Sequence, residues 1–118
     1  MSADQQQSIS QQPVPELAPE EAYRMLGDGG ALLLDVREPD EYASVHVSGA
    51  RLLPLGQLAA GLDGLPHDGT VVVICRSGRR SAEAVRLLQQ SGFVRPLNLT
   101  GGILAWQAAG LPVVEPGA

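Results

Sequence analysis

The stretch Cys75-Arg76-Ser77-Gly78-Arg79-Arg80-Ser81 is where residue type and spacing in this 118-residue chain could do chemistry. Cys75 is the only cysteine, so it cannot close an internal disulfide, and no Cys or His stands at the spacing of a structural zinc site. Its thiol is therefore either buried and inert or reactive. A merely apolar strand end would not be followed directly by three arginines and a glycine, which weighs toward reactivity. A helix starting after the loop would aim its partial positive charge and its unpaired N–H groups at the sulfur. A guanidinium about 6 Å away, at an effective dielectric of about 20, would add roughly 3 kcal/mol, or about two pKa units before solvent screening. Gly78 permits the tight turn that lets several N–H groups converge on one anionic atom. The expected product is a nucleophile, Cys75, in an anion-binding cup formed by Arg76, Ser77, Gly78, Arg79, Arg80 and Ser81. Ser77 and Ser81 bring hydroxyl donors, and Ser81 is also suited to be the N-cap of the following helix.

A loop of this kind has to be held by a rigid frame. Thr70-Val71-Val72-Val73-Ile74 is β-branched at every position and runs directly into Cys75, which predicts a buried strand. Ala31-Leu32-Leu33-Leu34-Asp35-Val36 is a second continuous apolar run of the kind found in parallel sheets. Shorter strands are expected over 49–53 and 94–99. Helical patterns fall on 19–26, opened by Pro19 and two acids, on 81–91, closed by Gly92, and on 101–109, which contains Trp106. Residues 39–42 fit one helical turn and 54–62 a short helix. Strands alternating with helices define an α/β domain with a parallel sheet, whose ligands sit outside the carboxyl ends of the strands. Cys75 occupies that position, and Asp35 and Arg37 end the other buried strand close to it.

Composition narrows the function further. One hundred and eighteen residues make one domain, and 44% hydrophobic with 18% charged residues is the balance of a globular protein. Thirteen acids against eight bases give a net charge of -5, which argues against nucleic acid or an anionic membrane as partner. All eight bases are Arg, so Schiff-base and P-loop lysine chemistry are excluded. Eight of the acids lie between Glu16 and Glu41, which leaves a locally cationic loop on an acidic chain. Residues 1–15 are polar, Gln-rich and aperiodic, and read as a flexible tail without a secretory signal. No apolar run approaches the roughly 18 residues of a membrane span, so a cytoplasmic location is expected, where a lone thiol stays reduced.

Taken in order, Leu34-Asp35-Val36-Arg37-Glu38-Pro39-Asp40-Glu41-Tyr42, His46-Val47-Ser48-Gly49-Ala50, the Cys75–Ser81 loop, Leu99-Thr100-Gly101-Gly102-Ile103-Leu104-Ala105-Trp106 and Gly110-Leu111-Pro112-Val113 resemble the successive signatures of the single-domain rhodanese sulfurtransferases. The resemblance spans residues 17–114. It implies a rhodanese-like three-layer α/β/α domain over 16–116 with a central, mostly parallel five-stranded sheet. It further implies that Cys75 attacks the outer sulfur of thiosulfate, that sulfite leaves, and that the persulfide passes its sulfur to cyanide or a thiol. Such transfer moves no proton to or from carbon, so no metal or cofactor is expected. The implied partners are a small sulfur anion and a thiol or protein acceptor, with the chain acting as a monomer. Asp35 and Arg37 are assigned a supporting role, His46 and His67 none in catalysis, and Tyr42 and Trp106 places in the core. Val45 stands where the family usually has Gly.

Two other readings compete. The domain would be a sulfur-relay or regulatory module if its true partner is a protein. The related cell-cycle phosphatases and arsenate reductases carry Arg at the sixth position after the Cys and commonly His before it. Here those positions hold Ser81 and Ile74, with Arg80 one place earlier, so the shorter cup suits one sulfur atom better than a phosphate.

Overall fold

The computed structural model describes residues 13–116. Its strands are β1 (Glu16–Leu17), β2 (Ala31–Asp35), β3 (Arg51–Leu52), β4 (Thr70–Ile74) and β5 (Arg95–Leu99), and its helices α1 (Pro19–Gly27), α2 (Pro39–Ser44), α3 (Arg79–Gln90) and α4 (Gly102–Ala108). The five strands form one sheet in the order β1-β5-β4-β2-β3, and every pairing is parallel. β4 lies at the centre because its side chains are apolar on both faces and all of Val71–Ile74 are fully buried. Each of these valines and isoleucines contributes about 1.5–3 kcal/mol relative to an exposed position.

Strand alternation divides the core. Val71, Val73 and Cys75 face one side, where they pack with Ala84, Val85 and Leu88 of α3 and with Leu58, Leu65 and Phe93. Val72 and Ile74 face the other, against Ala22 of α1 and Ile103 and Trp106 of α4. This is the three-layer α/β/α arrangement. The chain moves outward from β2 to β3, then returns to the opposite side of β2 with β4 and β5, so the order reverses between β2 and β4. The carboxyl ends of those two strands define the crevice, and Asp35 pairs in register with Ile74, the residue before Cys75.

Several elements differ in extent from the sequence expectation. Residues 54–62 form two 3-10 helices, Leu55–Gln57 and Ala59–Gly64, in place of one α-helix, because glycines at 56, 61 and 64 weaken a regular helix. Only Arg51–Leu52 of 49–53 pairs as a strand. β5 starts at Arg95, and Val94 is 70% exposed. β1 leaves no signal in the sequence, since two residues carry no periodicity. Residues 1–12 of the expected tail lie outside the described residues. Val14 packs partly buried against the α3-side core, and the Pro15 carbonyl accepts from the Asn98 N–H at 2.8 Å.

Candidate active site

The Cys75 loop is fastened from two sides. The first N–H groups of α4 supply one fastening: Ile103 donates to the Cys75 carbonyl at 2.8 Å and Leu104 to that of Arg76 at 3.2 Å. The approach is so close that a Cβ on Gly102 would fall inside the carbonyls of Arg76 and Cys75. Gly78, at φ +104°, supplies the other by turning the chain into α3. Its N–H consequently points back at the sulfur and donates to Cys75 Sγ at 3.0 Å.

Gly78 is also the helix N-cap, which corrects the expectation that Ser81 caps it. Ser81 sits inside the first turn, fully buried, with Oγ 3.2 Å from Sγ. Burial pushes the Cys75 thiol up, but the Ser81 hydroxyl and the N–H groups of Ser81, Gly78 and Ser77 outweigh it and hold the thiol below its ordinary value. Hydrogen bonds, more than the arginines, thus do the work that charge was expected to do.

The arginines divide into two groups. Arg80 is committed to Glu41 of α2 through bonds of 2.7 and 2.9 Å, while its charge still couples to Cys75. Arg76, Ser77 and Arg79 are exposed at the rim. Between the loop, α2 and α4 lies a cavity of about 260 Å³ lined in part by Arg76, Arg37, Glu41 and Leu104.

Asp35 and Arg37 are buried at 0% and 2% exposure. Arg37 bonds both carboxylate oxygens of Asp35, at 3.0 Å from Nε and 2.8 Å from a terminal nitrogen, and donates to the Val45 carbonyl at 2.7 Å. The pair braces the β2–α2 junction. His46 stacks on Tyr42 and bonds its carbonyl, His67 stacks on Phe93, and Trp106 is buried with its N–H on the Pro112 carbonyl.

Sequence reasoning missed Asn98 and Glu41. Asn98 accepts from Ser81 Oγ at 2.5 Å and donates to the Gly78 carbonyl at 3.1 Å, so it closes a network behind the thiol. A lone carboxamide between two leucines of a buried strand was the available signal.

A model of the Rhodanese-like domain family matches residues 18–109. A sulfurtransferase of Allochromatium vinosum is 41% identical over 95 residues, covering 80% of this chain and 89% of that one. The thiosulfate sulfurtransferase GlpE of Actinobacillus pleuropneumoniae is 32% identical, covering 83% of this chain and 91% of its own length. The crystal structure of a rhodanese-related protein from Thermoplasma volcanium superposes with a TM-score of 0.76 at 32% identity, covering 85% of this chain and 97% of that one. The chain belongs to the rhodanese-like sulfurtransferase family. Among the described residues, no helix is long and apolar enough to cross a membrane.

Proposed function

We propose that the protein moves a sulfane sulfur from thiosulfate to a thiophilic acceptor through a persulfide on Cys75. The observation that carries this reading is the convergence of the Gly78 N–H and the Ser81 hydroxyl on Sγ, 3.0 and 3.2 Å away, at the carboxyl end of the central strand. In the first step the Cys75 thiolate attacks the outer sulfur of thiosulfate. A new S–S bond forms, the bond to the sulfonate sulfur breaks, and sulfite leaves with its electron pair. The enzyme then carries Cys75–S–S⁻, and its single negative charge is suited to the same N–H groups that held the thiolate. In the second step cyanide or a thiolate takes the outer sulfur and Cys75 leaves as the thiolate, so charge balances in both steps. Arg76 and Arg79 at the rim would steer the dianion and the exposed Ser77 would offer its hydroxyl to it, whereas Ser81, expected to line the cup, is fully buried and faces the sulfur itself. Asp35 and Arg37 would act by bracing the frame. The similarity to a thiosulfate sulfurtransferase supports this donor.

The phosphatase reading loses support because the sixth position after Cys75 is the buried Ser81 and the neighbouring Arg80 is held by Glu41. A monomer working in the reducing cytoplasm fits a lone, unpaired thiol. The test is intact mass after incubation with thiosulfate. The chain should gain one sulfur atom, lose it on adding cyanide, and do neither as Cys75→Ser. No gain would overturn the proposal, and a persulfide that turns over poorly with small acceptors would instead identify a protein-directed sulfur relay.

A further inference from the structure

Asn98 is 2% exposed in β5, behind the nucleophile. Its nitrogen faces two acceptors, the Gly78 carbonyl at 3.1 Å and the Glu16 carboxylate at 3.5 Å. Turning the amide over would set its oxygen against both, so that oxygen is fixed toward α3. There it lies 2.5 Å from Ser81 Oγ. An amide oxygen has no proton to give, so the single hydroxyl proton of Ser81 lies on this line and Oγ turns its lone pairs toward Cys75 Sγ, 3.2 Å away. That arrangement accepts the proton of a thiol. It offers a thiolate nothing until the hydroxyl turns to the sulfur and leaves Asn98 without its donor.

We propose that Asn98 is a positioning residue that competes with Cys75 for the one proton of Ser81 and so restrains formation of the anionic nucleophile. The pull of the Ser81 hydroxyl on the thiol is conditional on this turn, whereas the N–H of Gly78 is always in place. The inference deepens the sulfurtransferase reading by assigning what sets the readiness of its nucleophile. Charged groups on the elements around Cys75 are Arg76 in the loop, Arg79, Arg80, Glu83 and Arg86 on α3, Asp40 and Glu41 on α2 with Glu38 at its N-cap, Arg95 on β5, Glu16 on β1 and the mutually paired Asp35 and Arg37 at the end of β2. All of them are retained in the variants that test the competition.

The experiment is the pH profile of iodoacetamide alkylation on the full chain, in which Cys75 is the only thiol. Asn98→Leu, close to Asn in shape, frees the hydroxyl for the sulfur. Below the thiol's pKa it should alkylate about 3- to 10-fold faster, corresponding to a downward displacement of about half to one pKa unit. In the Ser81→Ala background the same substitution should change the rate by less than about twofold, because the contested proton is gone. An unchanged or slower rate in Asn98→Leu, or an acceleration that persists without Ser81, overturns the proposal. Should Asn98→Leu fail to fold, Asn98→Ala removes the same acceptor and should show the same acceleration, again lost in the Ser81→Ala background, and its absence overturns the idea. No sulfur donor enters the assay, so a moved profile with no persulfide in the mass experiment would sink the functional reading and leave this one standing. A persulfide with an unmoved profile would do the reverse.

Discussion

Glu41 and Arg80 stand 39 residues apart in the chain and meet through two hydrogen bonds of 2.7 and 2.9 Å, which fasten the short helix α2 to the first turn of α3. Arg80 draws the Glu41 carboxyl down from 4.5 to about 2. A depressed carboxyl contributes stability that is fully present above its unfolded value and is lost as pH falls through the folded one. The window here runs from about pH 4.5 down to about pH 2. Side-chain exposures of 34% and 26% leave the pair open to water, which limits its worth to under about 1 kcal/mol. Glu41→Gln should therefore lower stability by that amount near neutrality, with the gap to the parent narrowing below pH 4.5, as read from urea unfolding across pH. A gap that stays constant down to pH 2 would assign Glu41 a packing role instead.

Gly102 carries a second prediction. At φ +64° an L side chain is strained, and the space for its Cβ is occupied by backbone of Cys75 and Arg76, which cannot move aside like the end of a flexible side chain. Gly102→Ala should cost about 2–4 kcal/mol, the sum of left-handed strain and overpacking. The loop is the part displaced, so persulfide formation should fall further than the folded fraction does. Unfolding midpoints together with the thiosulfate mass gain would measure both losses. A variant within about 0.5 kcal/mol of the parent would mean that the loop is not clamped by α4.

What was legible in the sequence was whatever repeats or clusters locally. The continuous apolar runs of β2 and β4 placed the central strands, and the Arg-rich loop after Cys75 marked the candidate site. The exact start of α3 and the 3-10 character of 55–64 were not legible, because helix ends depend on loop geometry that propensity does not encode. The partners of the loop lay beyond local reading as well. Glu41 finds Arg80, and Asn98 finds Ser81, only through the way the sheet and helices stack. Charge arithmetic from sequence therefore assigns to the arginines an effect on the thiol that hydrogen bonding from Ser81, Gly78 and Ser77 exerts more strongly.

The Asp35–Arg37 pair separates bracing from substrate contact. Arg37 is 2% exposed and reaches across to the Val45 carbonyl, so removing its side chain leaves the buried Asp35 carboxylate without its counter-charge and with only the backbone N–H of residue 37, 3.0 Å away, as a donor. Arg37→Ala should destabilise by about 3–5 kcal/mol. In the fraction that stays folded, as counted by circular dichroism at low temperature, the thiosulfate KM should match the parent within about twofold. A raised KM in fully folded protein would show that Arg37 touches the anion after all.

Arg76 and Arg79 are exposed beside the loop, where a charge acts on an arriving dianion through partly screened solvent. Under the proposed function such a contact would be made equally with bound substrate and with the transition state, and so would govern KM more than kcat. Arg76→Ala or Arg79→Ala should raise the thiosulfate KM by about 3- to 10-fold with kcat changed less than about twofold, each contact being worth about 1 kcal/mol at such exposure. Salt offers an internal control. The parent's KM should climb between about 0.05 and 0.5 M ionic strength as the screening length contracts, and the double variant should respond less, because the charges that salt screens are gone. Steady-state thiocyanate production at several salt concentrations would measure all three proteins. Unchanged KM in both single variants would reassign these arginines from the small anion to a protein acceptor that meets the same rim.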